Sequence, residues 1–209
     1  DREIGMRHQD TDKEDVDFTR AALAMVENID WNVGRVLGAL DELNLASDTI
    51  VVYFCDNGPN SFRWNGGMRG RKGSTDEGGV RSPLVLRWPG KIPAGHRITR
   101  TAAAIDLLPT LADLADVPLT SEKPLDGRSL KPLLASKSAE PNWPDRILIN
   151  HWGKKVSARN QKNRLDDTGR LYDMETDPSQ STDVSAAHPA IHRQLSDEVA
   201  RYRTDVMAG

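Results

Sequence analysis

An acid, a carboxamide and a glycine follow one another at Asp56, Asn57 and Gly58, directly after the apolar run Ile50 to Phe54. Asp with Asn offers one charged and one neutral oxygen, the donors that hard divalent cations take. Neighbouring strand residues point to opposite faces, so the two reach one ion only where the strand has ended, and Gly58-Pro59 marks that end. In α/β sheets ligands collect beyond the carboxyl ends of strands, where this pair falls. The same residue types also make helix caps and Asx-turns, which need no ligand.

The stretch "RGRKGSTDEGGVRSP", Arg69 to Pro83, sets Arg69, Arg71, Lys72 and Arg81 among Gly70, Gly73, Gly78 and Gly79. Glycine lets backbone come close, and the cations suit an anion such as sulfate or phosphate, with Lys72 a point charge for one of its oxygens. Glu77 is placed to anchor the loop on one of the arginines. The alternative is a solvated basic loop with one structural ion pair. Trp64 and Asn65, between the two stretches, could line the mouth of a pocket with Arg69 and Arg71, although a loop aromatic serves equally as a packing lid. Cys55, at the end of the apolar strand, is expected to be a buried core thiol. His8, His188 and His192 read as surface residues. His151, beside Trp152 in a strand, could approach a pocket but is expected to be an ordinary packed or exposed histidine, and no histidine is assigned a role.

The elements that must position these residues follow from periodicity. From Val16, apolar residues recur at helical spacing through Phe18, Ala22, Val26, Ile29, Val33, Val36, Leu37, Leu40 and Leu43, which predicts a long amphipathic helix stopped at Asn44. Ile50 to Phe54 is a strand apolar on both faces, the pattern of a sheet covered by helices on both sides. Pro83 to Trp88 is a second buried strand, ended by Pro89-Gly90. Asp106 is expected to cap a helix with Pro109 in its first turn, and "RSLKPLLA" predicts a short helix followed by the connector "SKSAEPNWP". Past Arg146, "ILINHW", "KVSARNQ", "NRLD" and "RLYDM" predict short antiparallel strands in a small sheet. Pro189 to Met207 closes the chain as an amphipathic helix bearing Ile191, Leu195, Val199 and Tyr202. The opening residues to about Asp15, charged and without period, read as a loop.

With 209 residues the chain is long enough to bury a sizeable core in one large domain or one and a half. Its 28 Lys and Arg against 31 Asp and Glu give a formal charge of -3, so no strong field points to nucleic acid or an anionic membrane. No apolar run is long enough to cross a bilayer. A single cysteine excludes an internal disulfide framework and a cysteine-based zinc cluster. Asp1-Arg2-Glu3-Ile4 shows no charged-then-apolar leader, so an export signal is expected to have been removed or to lie outside this sequence.

Taken in order, "AMVENIDWNVGRVLGALDELNLASDTIVVYFCDNG", "RGRKGSTDEGGVRSPLVLRWPGKI", "IDLLPTLADLADV", "LDGRSLKPLL" and "LYDMETDPSQSTDVS" resemble the carboxyl-terminal part of a formylglycine-dependent, arylsulfatase-like sulfatase of the alkaline-phosphatase superfamily. The resemblance runs from Val16 over nearly the whole chain. It implies an α/β fold: part of an alkaline-phosphatase-like sheet with flanking helices over residues 1–140, then a small antiparallel sheet plus a C-terminal helix over 141–209. It implies that Asp56 and Asn57 hold a divalent ion, Ca2+ with Mg2+ as an alternative, and that Lys72 binds the substrate sulfate within the catalytic site. "LYDMETDP" is expected to tie the small sheet to the main domain.

The family's nucleophile is a Cys or Ser in a Cys/Ser-x-Pro-x-Arg motif, oxidised to formylglycine, and no such motif occurs here. Also missing are the paired aspartates, the second lysine and the two histidines that the family places upstream. The resemblance therefore implies a sulfate ester as substrate, formylglycine upstream of this chain, and as partner the missing N-terminal part of the sulfatase domain or a replacement chain. By itself the chain is expected to be inactive, with no nucleic acid and no membrane span, and the family suggests a periplasmic or secreted protein. Two alternatives stay open: a phosphoester or phosphonate hydrolase of the same superfamily, and a non-catalytic remnant acting as a binding subunit.

Overall fold

A computed structural model describes residues 14–120, 123–135 and 143–207. The expected opening loop over residues 1–13, with His8, and the connector over 136–142 lie outside the described residues. Helix α1 (Val16–Glu42) begins where Asp15 Oδ1 accepts the Phe18 N–H at 2.9 Å, an N-cap, and Asn44 takes a left-handed φ of 56° just past its end, as a stop there requires. Strands β1 (Val51–Phe54) and β2 (Leu84–Arg87) pair antiparallel, Val51 opposite Arg87 and Phe54 opposite Leu84. The expectation of a strand covered on both faces is corrected: Tyr53 is 36%, Phe54 46% and Val85 55% exposed. Among the described residues β1 has β2 as its strand neighbour, and the ends of both strands stay open to solvent.

The chain forms two compact units that are interleaved in sequence. Arg35–Phe54 and Leu84–Asp145 make one, and the stretch through Gly34, Cys55–Pro83 and Arg146–Gly209 make the other. Cys55–Pro83 groups with the C-terminal residues.

In the first unit Leu130, Leu133 and Leu134 form a core with Leu84, Leu86, Ile92, Ile98 and Leu114. It is contributed by β2, a helix over Leu107–Leu114 and a short one over Lys131–Ala135, numbered α3 and α4 below. Asp106 precedes α3 but does not cap it. Its carboxylate, fully buried, accepts the N–H of Ala103 at 2.8 Å and of Arg128 at 3.0 Å, because a 3-10 turn over Ala104–Asp106 leads into the helix and carries the side chain back.

The second unit is built on strands β3 (Leu148–Trp152), β4 (Lys155–Arg159), β5 (Asn163–Leu165) and β6 (Leu171–Asp173), a meander in sequence order. Alternation gives this sheet two unlike faces. Ala158, Leu165 and Leu171 pack with Leu195, Ile191 and Val199 of α5 (Pro189–Tyr202), which runs into a π-turn over Arg203–Met207. Asn150, Ser157, Arg159, Arg164 and Tyr172 lie on the opposite face and meet the loop after β1 and the short helix α2 (Glu77–Val80). That polar face positions the candidate site.

Candidate functional site

Asp56, Asn57 and Lys72 are brought together by backbone. The Gly58 N–H donates to the Gly79 carbonyl at 3.0 Å, and the Lys72 N–H donates to the Pro59 carbonyl at 2.9 Å. A third tie runs from Arg71 Nη1 to the Asn60 carbonyl at 3.1 Å. The approach is so close at Gly58 that a Cβ there would stand 1.8 Å from the Gly78 carbonyl oxygen, which is why this turn carries no side chain. Gly73, next to Lys72, has a φ of 90°, a conformation that a larger residue would strain.

Asp56 and Lys72 are exposed and Asn57 is half-buried. Among the described residues none of the three side chains has a hydrogen-bond or ion-pair partner within the chain. A carboxylate, a carboxamide and an ammonium therefore stand on adjacent loops with their polar ends unused. The two oxygens fit part of the shell of a hard cation, which takes six to eight in the case of calcium. No cluster of three or more His, Cys, Asp or Glu that could hold a metal is found among the described residues.

The other residues expected at a pocket are placed differently. Arg69 donates from Nε and Nη2 to Asp76 Oδ1 at 3.1 and 2.7 Å, from Nη2 to Asp166 Oδ2 at 2.7 Å, and from Nη1 to the Tyr172 hydroxyl and the Gln180 carbonyl at 3.1 Å each. All its N–H groups are used. Burial works against its charge, but the contacts with Asp76, Asp166 and Tyr172 overcome that and hold the guanidinium more firmly protonated than an ordinary arginine. Asn65 is buried, with Nδ2 on the carbonyls of Met68 and Gly70 at 2.8 and 3.1 Å, so it shapes the loop from within. Neither residue has a donor to spare for an anion. Arg71 lies over the Phe62 ring at 4.6 Å, and Trp64 is 55% exposed on the loop surface. Cys55 is an exposed free thiol, not a core residue, since the strand has ended and no layer covers it.

Glu77 anchors the loop mainly on two distant arginines and only weakly on Arg81, the loop arginine of the kind expected. Its carboxylate, 3% exposed, accepts from Arg164 Nη2 at 2.9 Å, Arg159 Nε at 3.1 Å and Arg81 Nη1 at 3.4 Å. Burial alone would raise its pKa, but Arg164 and Arg159 outweigh that and hold it below the usual carboxylate range. Asp166 is likewise held low against burial, by the Arg170 N–H and by Arg69. The "LYDMETDP" segment joins this network through Tyr172 and through the Pro178 carbonyl, which accepts the Arg69 N–H at 3.2 Å.

His151 sits on the α5 side of the sheet, edge-on to Tyr202 at 5.7 Å between ring centroids. Sequence reasoning passed over its neighbour. Trp152 is 51% exposed on the loop side, with Nε1 3.8 Å from where a Cβ on Gly73 would stand. The alternation of β3 was the signal that could have separated the two.

The sulfatase family model matches residues 5–117, and the model described as N-sulphoglucosamine sulphohydrolase, C-terminal, matches residues 72–205. Steryl-sulfatase of Homo sapiens is 42% identical over 123 residues, covering 54% of this chain and 21% of its own length. A sulfatase of Formosa agariphila is 33% identical over 199 residues, covering 80% of this chain and 35% of its own. The crystal structure of Ps i-CgsB superposes with a TM-score of 0.75 at 28% identity, over 85% of this chain and 41% of that one. This chain thus spans between 21% and 35% of the length of these two curated relatives. Its fold is that of the carboxyl-terminal part of the alkaline-phosphatase-like sulfatases, and the chain belongs to the sulfatase family.

Proposed function

We propose that this chain is the metal-binding and sulfate-binding portion of a sulfuric ester hydrolase, with Asp56 and Asn57 on a Ca2+ ion and Lys72 on the sulfate. The observation that carries the reading is the pair of backbone hydrogen bonds that set Lys72 beside the Asp56-Asn57 turn, Gly58 to Gly79 and Lys72 to Pro59. They gather three unpartnered polar groups whose charges match a cation and an anion lying together. A bound divalent ion would supply Lewis-acid stabilisation of negative charge on the sulfate oxygens. Asp56 and Asn57 would hold it with a charged and a neutral oxygen from one turn, and the Lys72 ammonium would neutralise a second sulfate oxygen without taking up a proton. The nucleophile is not among these 209 residues, so the formylglycine comes from another segment or chain, and the present chain alone turns over nothing.

The test uses the complete enzyme. Asp56→Ala should lower bound calcium, read by elemental analysis after dialysis, with loss of aryl sulfate hydrolysis. Lys72→Ala should keep the metal, raise KM and weaken inhibition by inorganic sulfate, with a total loss in kcat/KM on the order of 100-fold or more. Full calcium in the Asp56 variant, or unchanged sulfate inhibition in the Lys72 variant, removes that residue from the site. A preference for phosphate monoesters over sulfate esters would move the whole reading to the phosphoester hydrolases of the superfamily.

A further inference from the structure

The segment that carries Lys72 has no helix or strand of its own between β1 and α2, so apart from backbone turns such as Lys72 N–H to the Pro59 carbonyl it relies on anchors outside the loop. Its anchors lie on the polar face of the C-terminal sheet. At one end Arg69 is held by Asp166 and Tyr172. At the other, Glu77 Oε2 accepts Nε and Nη2 of Arg164 at 3.2 and 2.9 Å and Nε of Arg159 at 3.1 Å. Between them the Thr75 carbonyl accepts Arg164 Nη1 at 2.7 Å and Ser157 Oγ at 2.9 Å. Arg164 is 1% exposed, and its Nη1 also reaches Asn150 and Ser157. One planar group thus ties Glu77 and Thr75 of the loop to three strands of the sheet.

A buried ion pair is a weak source of stability, because desolvation offsets much of the attraction. What the arrangement does supply is geometry: the arginine fork fixes both the distance and the angle of the carboxylate it holds, whereas a lysine would fix neither. A glycine-rich segment needs such fixing, since ordering it is entropically costly.

We propose that Arg164, with Asp166 acting through Arg69 as the second anchor, is a positioning residue that sets where the Lys72 ammonium stands against a bound sulfate. Arg164 touches no substrate, and acts only through the loop. The C-terminal sheet is then part of the anion site's machinery and not an appended domain. The proposal rests on the sulfate-binding role of Lys72 given above.

A double-mutant cycle in the complete enzyme tests it, with Lys72→Ala, Arg164→Lys and the double variant. The readouts are kcat/KM for an aryl sulfate, the inhibition constant of inorganic sulfate, and melting temperature. Displacement of a binding group by about an ångström costs up to ~100-fold, so Arg164→Lys should lower kcat/KM by roughly 10-fold or more and weaken sulfate inhibition in step. In the Lys72→Ala background the same substitution should change either constant by less than about 2-fold, because the group it positions is gone. A full, additive loss in that background, or a lower melting temperature with wild-type sulfate inhibition, overturns the proposal and leaves the role of Lys72 standing. Wild-type sulfate inhibition in Lys72→Ala overturns the role of Lys72 itself. If Arg164→Lys does not fold, Asp166→Asn, which keeps the side-chain shape, replaces it in the cycle with the same expectations. Lys162→Ala, a surface residue paired with Asp173 and Glu175 on the same sheet, serves as the control and should match wild type.

Discussion

Glu77 keeps a charge where a lone carboxylate would lose it, at 3% exposure, because guanidinium groups from β4 and β5 close on it. Burial favours its neutral form, and Arg164 and Arg159 reverse that; Asp166, opposed by burial and held by the Arg170 N–H and Arg69, is depressed in the same sense. Carboxylates held low when folded contribute stability that is complete above their unfolded values of about 4.3 and 3.9 and is lost as pH falls through the lower folded ones. Denaturation midpoints measured from pH 6 down to pH 3 should therefore hold to about pH 5 and then drop. Glu77→Gln should lose about 3–5 kcal/mol at pH 6, because Arg164 is left buried and unpaired, and should show a shallower fall toward acid. An unchanged acid slope in that variant would mean that other groups titrate. An acid among basic loop residues was legible as an anchor in the sequence, but its main partners were not: they lie 82 and 87 positions away, brought near by a sheet register that no local pattern states. Arg69 misled in part for the same reason: besides the nearby Asp76, its partners Asp166 and Tyr172 lie 97 and 103 positions on.

At the scale of elements, the reading of periodicity carried well for everything that packs against its own neighbours. Strands β3 to β6 and helices α1 and α5 stand where alternation and helical spacing put them, and in the sheet and α5 one face is buried among near neighbours. It failed where cover must come from elsewhere. β1 is apolar on both sides, yet Tyr53 and Phe54 are 36% and 46% exposed, and Cys55 at its end is exposed. The turn that follows β1 is more tightly specified. Gly58→Ala would put a methyl 1.8 Å from the Gly78 carbonyl oxygen and 2.9 Å from its carbon, so the two loops must part and the 3.0 Å bond from the Gly58 N–H to Gly79 is lost. Overpacking of this kind costs about 1–3 kcal/mol, and separating the loops should raise KM for the sulfate ester by roughly 10-fold. Thermal melting and steady-state kinetics on the same preparation check both halves. A variant with wild-type melting and KM would show that the loops are not in contact there.

At the scale of the whole molecule, α1 is the element most at odds with a chain that folds to its own satisfaction. Its apolar row reads as a core-facing stripe, yet Phe18 is 46%, Val26 58%, Ile29 41%, Val36 57% and Leu43 66% exposed, and its only buried residue is Thr19. No helix among the described residues is long and apolar enough to cross a membrane. A stripe with helical period is formed to be covered, and burying a side chain of this size is worth about 1.5–3 kcal/mol, enough in sum to drive association if left bare. Relatives of which this chain covers 21% to 35% have the length to supply the cover. The 209-residue chain produced alone should therefore bind a hydrophobic dye such as ANS strongly and sediment as concentration-dependent oligomers. Coproduction with the remainder of a sulfatase domain should suppress both and restore hydrolysis of an aryl sulfate, since the same contact would bring the nucleophile to Asp56, Asn57 and Lys72. Replacing Val26, Ile29 and Val36 together by glutamine separates the two effects: it should reduce dye binding of the isolated chain while also preventing rescue by the added portion. A monodisperse, dye-silent chain in which that triple variant changes nothing would mean that the α1 stripe faces water by design and that the site acts without a covering partner.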